Sequence, residues 1–199
     1  MDGGDRFVRL ASLCAAAAAG RGDALHGLTT KAMAAGCSAG EIREALLTLV
    51  PFCGFPRALD AFAAIRPVLG AQTDSPDRGA SATRGAAFFD LVYGRDAAKV
   101  RANLAALDAG AAAWIESDAY GRVLSRPGIS ASLRERIGVV LLAAQGLRTQ
   151  LSGHIRGAMN CGATAGEIAA FVDAAAPFID PAELEFARAA LRRVAAEGR

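Results

Sequence analysis

A chain of 199 residues with 53% hydrophobic and 21% charged residues can bury the core of one compact domain or two small ones, which excludes a disordered polymer. Its formal net charge is only +2 and its arginines are scattered, so no footprint for nucleic acid stands out, while a pI near 8.5 suits a small anionic substrate. No stretch reaches the roughly 18 consecutive apolar residues that span a bilayer, so no membrane partner is expected, and the chain is expected to be soluble and cytoplasmic.

The first apolar run, LASLCAAAAAG at residues 10–20, carries the A-x-A spacing of a secretion signal but pairs with a later helix in an internal repeat. A shift of 126 residues aligns Gly20–Phe52 with Gly146–Phe178 without a gap: Leu25 meets Leu151, Ala32-Met33 meets Ala158-Met159, and Pro51-Phe52 meets Pro177-Phe178. In each copy a helix rich in Ala and Leu stops at a glycine, Gly36 or Gly162, suited to the left-handed conformation that ends helices. The next helix opens with a capping box, Ser38-x-x-Glu41 or Thr164-x-x-Glu167, followed by apolar residues at helical spacing.

Residues 71–85, AQTDSPDRGASATRG, read as a linker between a first unit at 1–70 and a second at 86–199. Beyond it, helices are predicted at 86–93 and 97–107, then a segment in which Trp114 and Tyr120 are expected in the core, then the turn SRPG at 125–128. Residues of β propensity never alternate over a useful length, so the fold class is all-α: about ten helices in antiparallel hairpins, a tandem duplication of one helical unit. The cysteines, Cys14, Cys37, Cys53 and Cys161, form no C-x-x-C or C-x2-C…H pattern, which argues against a metal site and a vicinal dithiol. They are read as buried or half-buried thiols, with Cys161 the exception to watch.

DAYGRVLSRPGIS, then LRERIGVVLLAAQG, then QLSGHIRGAMNCGATAGEI resemble, in order and spacing, the carboxymuconolactone decarboxylase family, which includes the alkylhydroperoxidase D type proteins. The likeness spans roughly residues 79–178, and LVPFCGFPRALDAF at 49–62 matches the family's segment after the capping box. Peroxidase members carry Glu, a C-x-x-C pair and His. Here Glu135 and His154 keep that spacing, whereas Leu147 and Gln150 stand where the cysteines would be. The first copy has Arg9 in the slot of Glu135 and Leu28 in that of His154, so it reads as a degenerate half.

The resemblance implies an alkylhydroperoxidase D-like helical bundle and cofactor-free loss of carbon dioxide from a small carboxylated lactone of the 4-carboxymuconolactone type. His154 is then the acid or hydrogen-bond donor, because an imidazole reaches either protonation state at neutral pH, and Glu135 orients it or shuttles its proton. Read without the resemblance, the two are an inter-helix histidine and a first-turn carboxylate favoured by the helix dipole. Gln150 and Gly157 flank His154 on its helix and are assigned to substrate binding, with Cys161 as pocket lining near the same face. Arg156 lies about 200° around the helix from His154, so it either completes a neighbouring pocket for a substrate carboxylate or makes a surface ion pair. Arg126 is expected in a structural contact at the turn, Asn160 at the helix end, and His26 in solvent. Two other readings stay open, a thiol peroxidase and a non-catalytic ligand-binding or assembly-forming relative. Family members self-associate, often as six single units, so three two-unit chains are the expected assembly; no metal or cofactor is expected.

Overall fold

Runs of alanine and leucine favour helix throughout, and glycines and caps divide the chain into segments. The computed structural model describes residues 3–71 and 81–197. Its helices are α1 (Gly3–Ala18), α2 (Gly22–Ala34), α3 (Ala39–Leu47), α4 (Leu49–Leu69), α5 (Ser81–Tyr93), α6 (Ala97–Leu107), α7 (Ala109–Trp114), α8 (Ala131–Ala144), α9 (Arg148–Asn160), α10 (Ala165–Ala175) and α11 (Pro181–Glu197). A π-helical stretch, Ile115–Leu124, continues α7, and single 3-10 turns occupy Gly94–Asp96 and Ala176–Phe178. No strand occurs among the described residues, so the chain is all-α. Most of the expected linker, residues 72–80, lies outside the described residues; its last five residues begin α5.

The repeat holds at the level of single dihedrals. Gly36 and Gly162 take φ values of 95° and 94°, and both capping boxes form, with Ser38 accepting from the Glu41 amide and Thr164 from the Glu167 amide. α2 and α9 begin and end at positions 126 apart, and α8 stands where α1 stands in the first copy.

The two copies share one core rather than two. α1 packs on α8 and α10, Ser12 Oγ donates to the Ala174 carbonyl at 2.7 Å, and Leu13, Leu46 and Ile65 join Ile137, Phe171 and Val194 in a single apolar cluster. A polar cluster bridges the copies beside it. Arg126 in the SRPG turn and Arg134 on α8 converge on Glu44 of α3 at 2.7 and 3.0 Å, and Arg134 also donates to Thr48 Oγ1. The expectation of a structural contact for Arg126 therefore holds.

α5 and the π stretch build a smaller second cluster around Phe89, Val92, Tyr120 and Leu124. Tyr120 is buried as expected, but Trp114 is not: it is 69% exposed. The change from α to π winding after α7 turns Ile115, not Trp114, toward this cluster. Among the described residues no single helix is long and apolar enough to cross a membrane; the bent pair α3–α4 passes on length and composition alone, and many of its apolar side chains lie in the core.

Candidate functional site

Every residue of α8 from Leu133 to Ala143 is buried, so this helix is enclosed on all sides. A carboxylate in such surroundings is costly unless paired. Glu135 meets that demand with His154 of α9: the imidazole Nδ1–H donates to Glu135 Oε2 at 2.9 Å. An ionised carboxylate accepts only, so with Glu135 ionised Nδ1 carries a proton in this contact, whether the ring is neutral or cationic. The glutamate side chain is 1% exposed and the histidine 10%. Nε2 of His154 has no partner within the described residues and is not among the fully buried atoms, so it is the ring nitrogen that keeps some exposure. Glu135 Oε1, by contrast, is buried and unpartnered among the described residues.

Small residues make the approach possible. A methyl group at Gly157 would stand 2.8 Å from Glu135 Oε2 and 2.7 Å from Val92 Cγ1, so only glycine lets α5 and the carboxylate meet α9 there. Phe52, from the first copy, sets its ring edge-on to His154 with centroids 5.1 Å apart, and rests on Gly138, where a methyl would lie 3.0 Å from the ring. The first copy thus supplies a wall to the second copy's site.

Next to the pair lies a phenol couple. Tyr120 Oη donates to Tyr93 Oη at 2.9 Å, with Phe89 packed against both rings. Burial, then the neighbouring phenol and the Glu135 charge, push the Tyr120 hydroxyl well above the ordinary tyrosine range; burial and Glu135 raise Tyr93 despite the bond from Tyr120. Cys161 packs against the same cluster, its thiol pushed up to about 12 by burial and then by Glu135. Burial likewise raises Cys53 to about 11 and moves Cys14 and Cys37 upward. A cavity of about 530 Å³ lies between α5, α9 and α11, lined by Val92, Tyr93, Arg95, Arg156, Asn160 and Glu197 among others.

Of the residues singled out by sequence, the fold brings together His154, Glu135, Gly157 and Cys161. Gln150 is left out: it sits exposed in the first turn of α9, where the helix has emerged from between its neighbours. Arg156 is exposed and paired with Glu197 at 2.6 Å, which is the surface ion pair, on the rim of the cavity. Asn160 does more than end its helix, since its Nδ2 donates to the Val92 carbonyl at 2.8 Å and ties α9 to α5. His26 is exposed. Sequence reasoning missed Phe52, Val92 and Tyr93. Phe52 was visible only as half of a repeated Pro-Phe pair, and nothing in local spacing aims the end of α5 at α9.

An all-α chain built from two copies of a helical hairpin, with a buried carboxylate and imidazole in the second, defines a narrow class of proteins. The sequence profile of the carboxymuconolactone decarboxylase family matches residues 4–67 and 110–193, more than half of the chain, and the protein belongs to that family. The chain is also similar to Peroxisomal protein 2 of Schizosaccharomyces pombe, at 29% identity over 170 residues that cover 80% of this chain and 79% of the yeast protein. α5 and α6 lie between the two matched segments.

Proposed function

We propose that the protein is a cofactor-free carboxy-lyase acting on a small carboxylated lactone of the 4-carboxymuconolactone type, with His154 and Glu135 at its centre. The carrying observation is the buried Glu135–His154 pair, which leaves Nε2 of the imidazole without a partner among the described residues. In the reaction, the bond between the ring carbon and the departing carboxylate breaks. Its electron pair passes through the adjoining double bond to the carbonyl oxygen as carbon dioxide leaves. His154, as imidazolium, gives the Nε2 proton to carbon while the carbonyl re-forms, and recovers a proton from water; Glu135 holds the ring and balances its charge. Arg156, at the cavity rim, is the cation for a remaining carboxylate, exchanging Glu197 for substrate.

Thiol peroxidase chemistry fits less well, because it needs a thiolate and Cys161, whose thiol feels the Glu135 charge, is pushed up to about 12 and so kept protonated. The test is a spectrophotometric screen of carboxylated lactones with wild type and His154→Ala. Turnover by the wild type that falls about 10²- to 10⁴-fold in the variant is expected; equal activity in both, or none in either, refutes the assignment and favours a non-catalytic relative. Family resemblance adds self-association, three chains giving six units, for which light scattering reads the mass. For location the reading carries the cytoplasm, with the peroxisome set against it by the name of the yeast relative; cell fractionation separates the two.

A further inference from the structure

The decarboxylation above needs a hydrogen-bond donor where negative charge collects, and neither Glu135 nor Arg156 is placed as a neutral donor. We propose that Tyr93, carried on α5 outside the two family-matched segments, donates its phenolic proton to the carbonyl oxygen of the bound acid; this deepens the lactone reading and rests on it.

The direction of the phenol–phenol bond decides which proton is available. Tyr120 is enclosed among Phe88, Phe89 and Cys161, so an unshared proton there would be an unsatisfied buried donor. Tyr93 is half-buried and borders the cavity. Tyr120 therefore donates to Tyr93, and the Tyr93 proton has no acceptor among the described residues. Accepting one hydrogen bond makes a hydroxyl a better donor of the next. Burial and the Glu135 charge keep both phenols protonated, so Tyr93 can offer a hydrogen bond at neutral pH.

Position supports the same role. Val92 and Tyr93 are shared by the aromatic cluster beside Glu135 and by the cavity, and Val92 lies against Gly157, three residues after His154. Asn160 clamps this end of α5 to α9 through the Val92 carbonyl, so Tyr93 is held by α9 itself. About 530 Å³ admits a ring-sized acid, with Arg156 on the rim for its carboxylate. The lactone type is thereby sharpened to molecules carrying a carboxylate and a carbonyl oxygen within one small skeleton.

Two measurements test the assignment. In turnover, Tyr93→Phe keeps the ring against Phe89 and loses only the donor, so kcat should fall about 100-fold with KM nearly unchanged, and Tyr120→Phe should fall less. In binding, levulinate (4-oxopentanoate), a keto acid that keeps its carboxylate, is followed by infrared difference spectroscopy with a ¹³C-labelled ketone. Its bound carbonyl band should lie at lower wavenumber in the wild type than in Tyr93→Phe, with circular dichroism showing both folded. A band at the same position in the two proteins, or no levulinate binding by the wild type, overturns the assignment. Should no lactone be turned over while the band remains Tyr93-dependent, the decarboxylase reading falls and the donor stands. Normal lactone turnover by Tyr93→Phe has the opposite meaning: the donor role falls and the decarboxylase reading stands.

Discussion

The two copies of the repeat share matching helices, glycine turns and capping boxes but have quite different interiors. α1 and α2 in the first copy correspond to α8 and α9 in the second, with the same glycine dihedrals and the same capping boxes. At the positions of Glu135, His154 and Gly157 the first copy carries Arg9, Leu28 and Lys31. Arg9 is exposed and Leu28 half-buried, so no buried polar pair forms there. The scaffold is held by caps, glycines and apolar spacing, which tolerate such changes, whereas the buried Glu135–His154 contact and the close approach at Gly157 do not. The first copy nonetheless contributes through Phe52, which covers His154, and Glu44, which anchors two arginines from the second half.

The sharpest way to break this dependence between copies is Glu44→Ala. Arg134 has a side chain 0% exposed and takes its carboxylate partner from the other copy; burial, and to a lesser extent the Arg126 charge, pull its guanidinium below the usual arginine range, and Glu44 opposes that pull. Removing one partner of such a buried pair costs about 3–5 kcal/mol. Replacing Arg134 and Glu44 together with Met and Leu should recover part of the loss, because the fully buried guanidinium goes too, while Arg126 keeps its charge and loses Glu44. Urea unfolding of the two variants measures both; a single substitution costing less than about 1 kcal/mol would mean that the cluster does not link the halves.

A smaller effect tests why the second copy needs Gly157 where the first has Lys31. Alanine there meets Val92 Cγ1 at 2.7 Å and Glu135 Oε2 at 2.8 Å, so α5 or the carboxylate must shift. Overpacking of this kind costs about 1–3 kcal/mol. Lys31→Ala in the first copy, on an exposed helix face, should cost less than about 0.5 kcal/mol. Gly157→Ala should also lower any His154-dependent turnover, and comparable melting shifts for the two alanine variants would contradict the close approach.

Most of the helical frame was legible in the sequence because its determinants are local. A serine or threonine three residues before a glutamate, and a glycine after a run of alanines, act within one turn of chain. Glu135 and His154 were legible only by resemblance, since nothing about a glutamate on an apolar helix says that it is paired. The exposure of Trp114 was not legible, because it follows from a change of helical winding that no hydrophobic period reveals. Tyr93 and Phe52 stayed hidden for a different reason: each reaches the site across a long loop of chain, so only packing brings them in.

The mildest comparison is between the caps themselves. Ser38→Ala and Thr164→Ala each remove one side-chain oxygen that accepts an amide hydrogen, from Glu41 and Glu167 respectively. If the copies differ only in their interiors, the losses should be nearly equal, about 1 kcal/mol each, and thermal unfolding should show them as matched decreases in Tm. Neither cap touches the Glu135–His154 pair, so turnover by the folded protein should not change. An inequality would have a definite reading: Glu41 is also held by Arg6 at 2.8 Å, whereas among the described residues the ion pair of Glu167 is the longer 3.9 Å contact with Arg136. The carboxylate half of the first box thus has a second tether, and a smaller loss for Ser38→Ala would show that this ion pair retains part of the cap after its hydroxyl is gone.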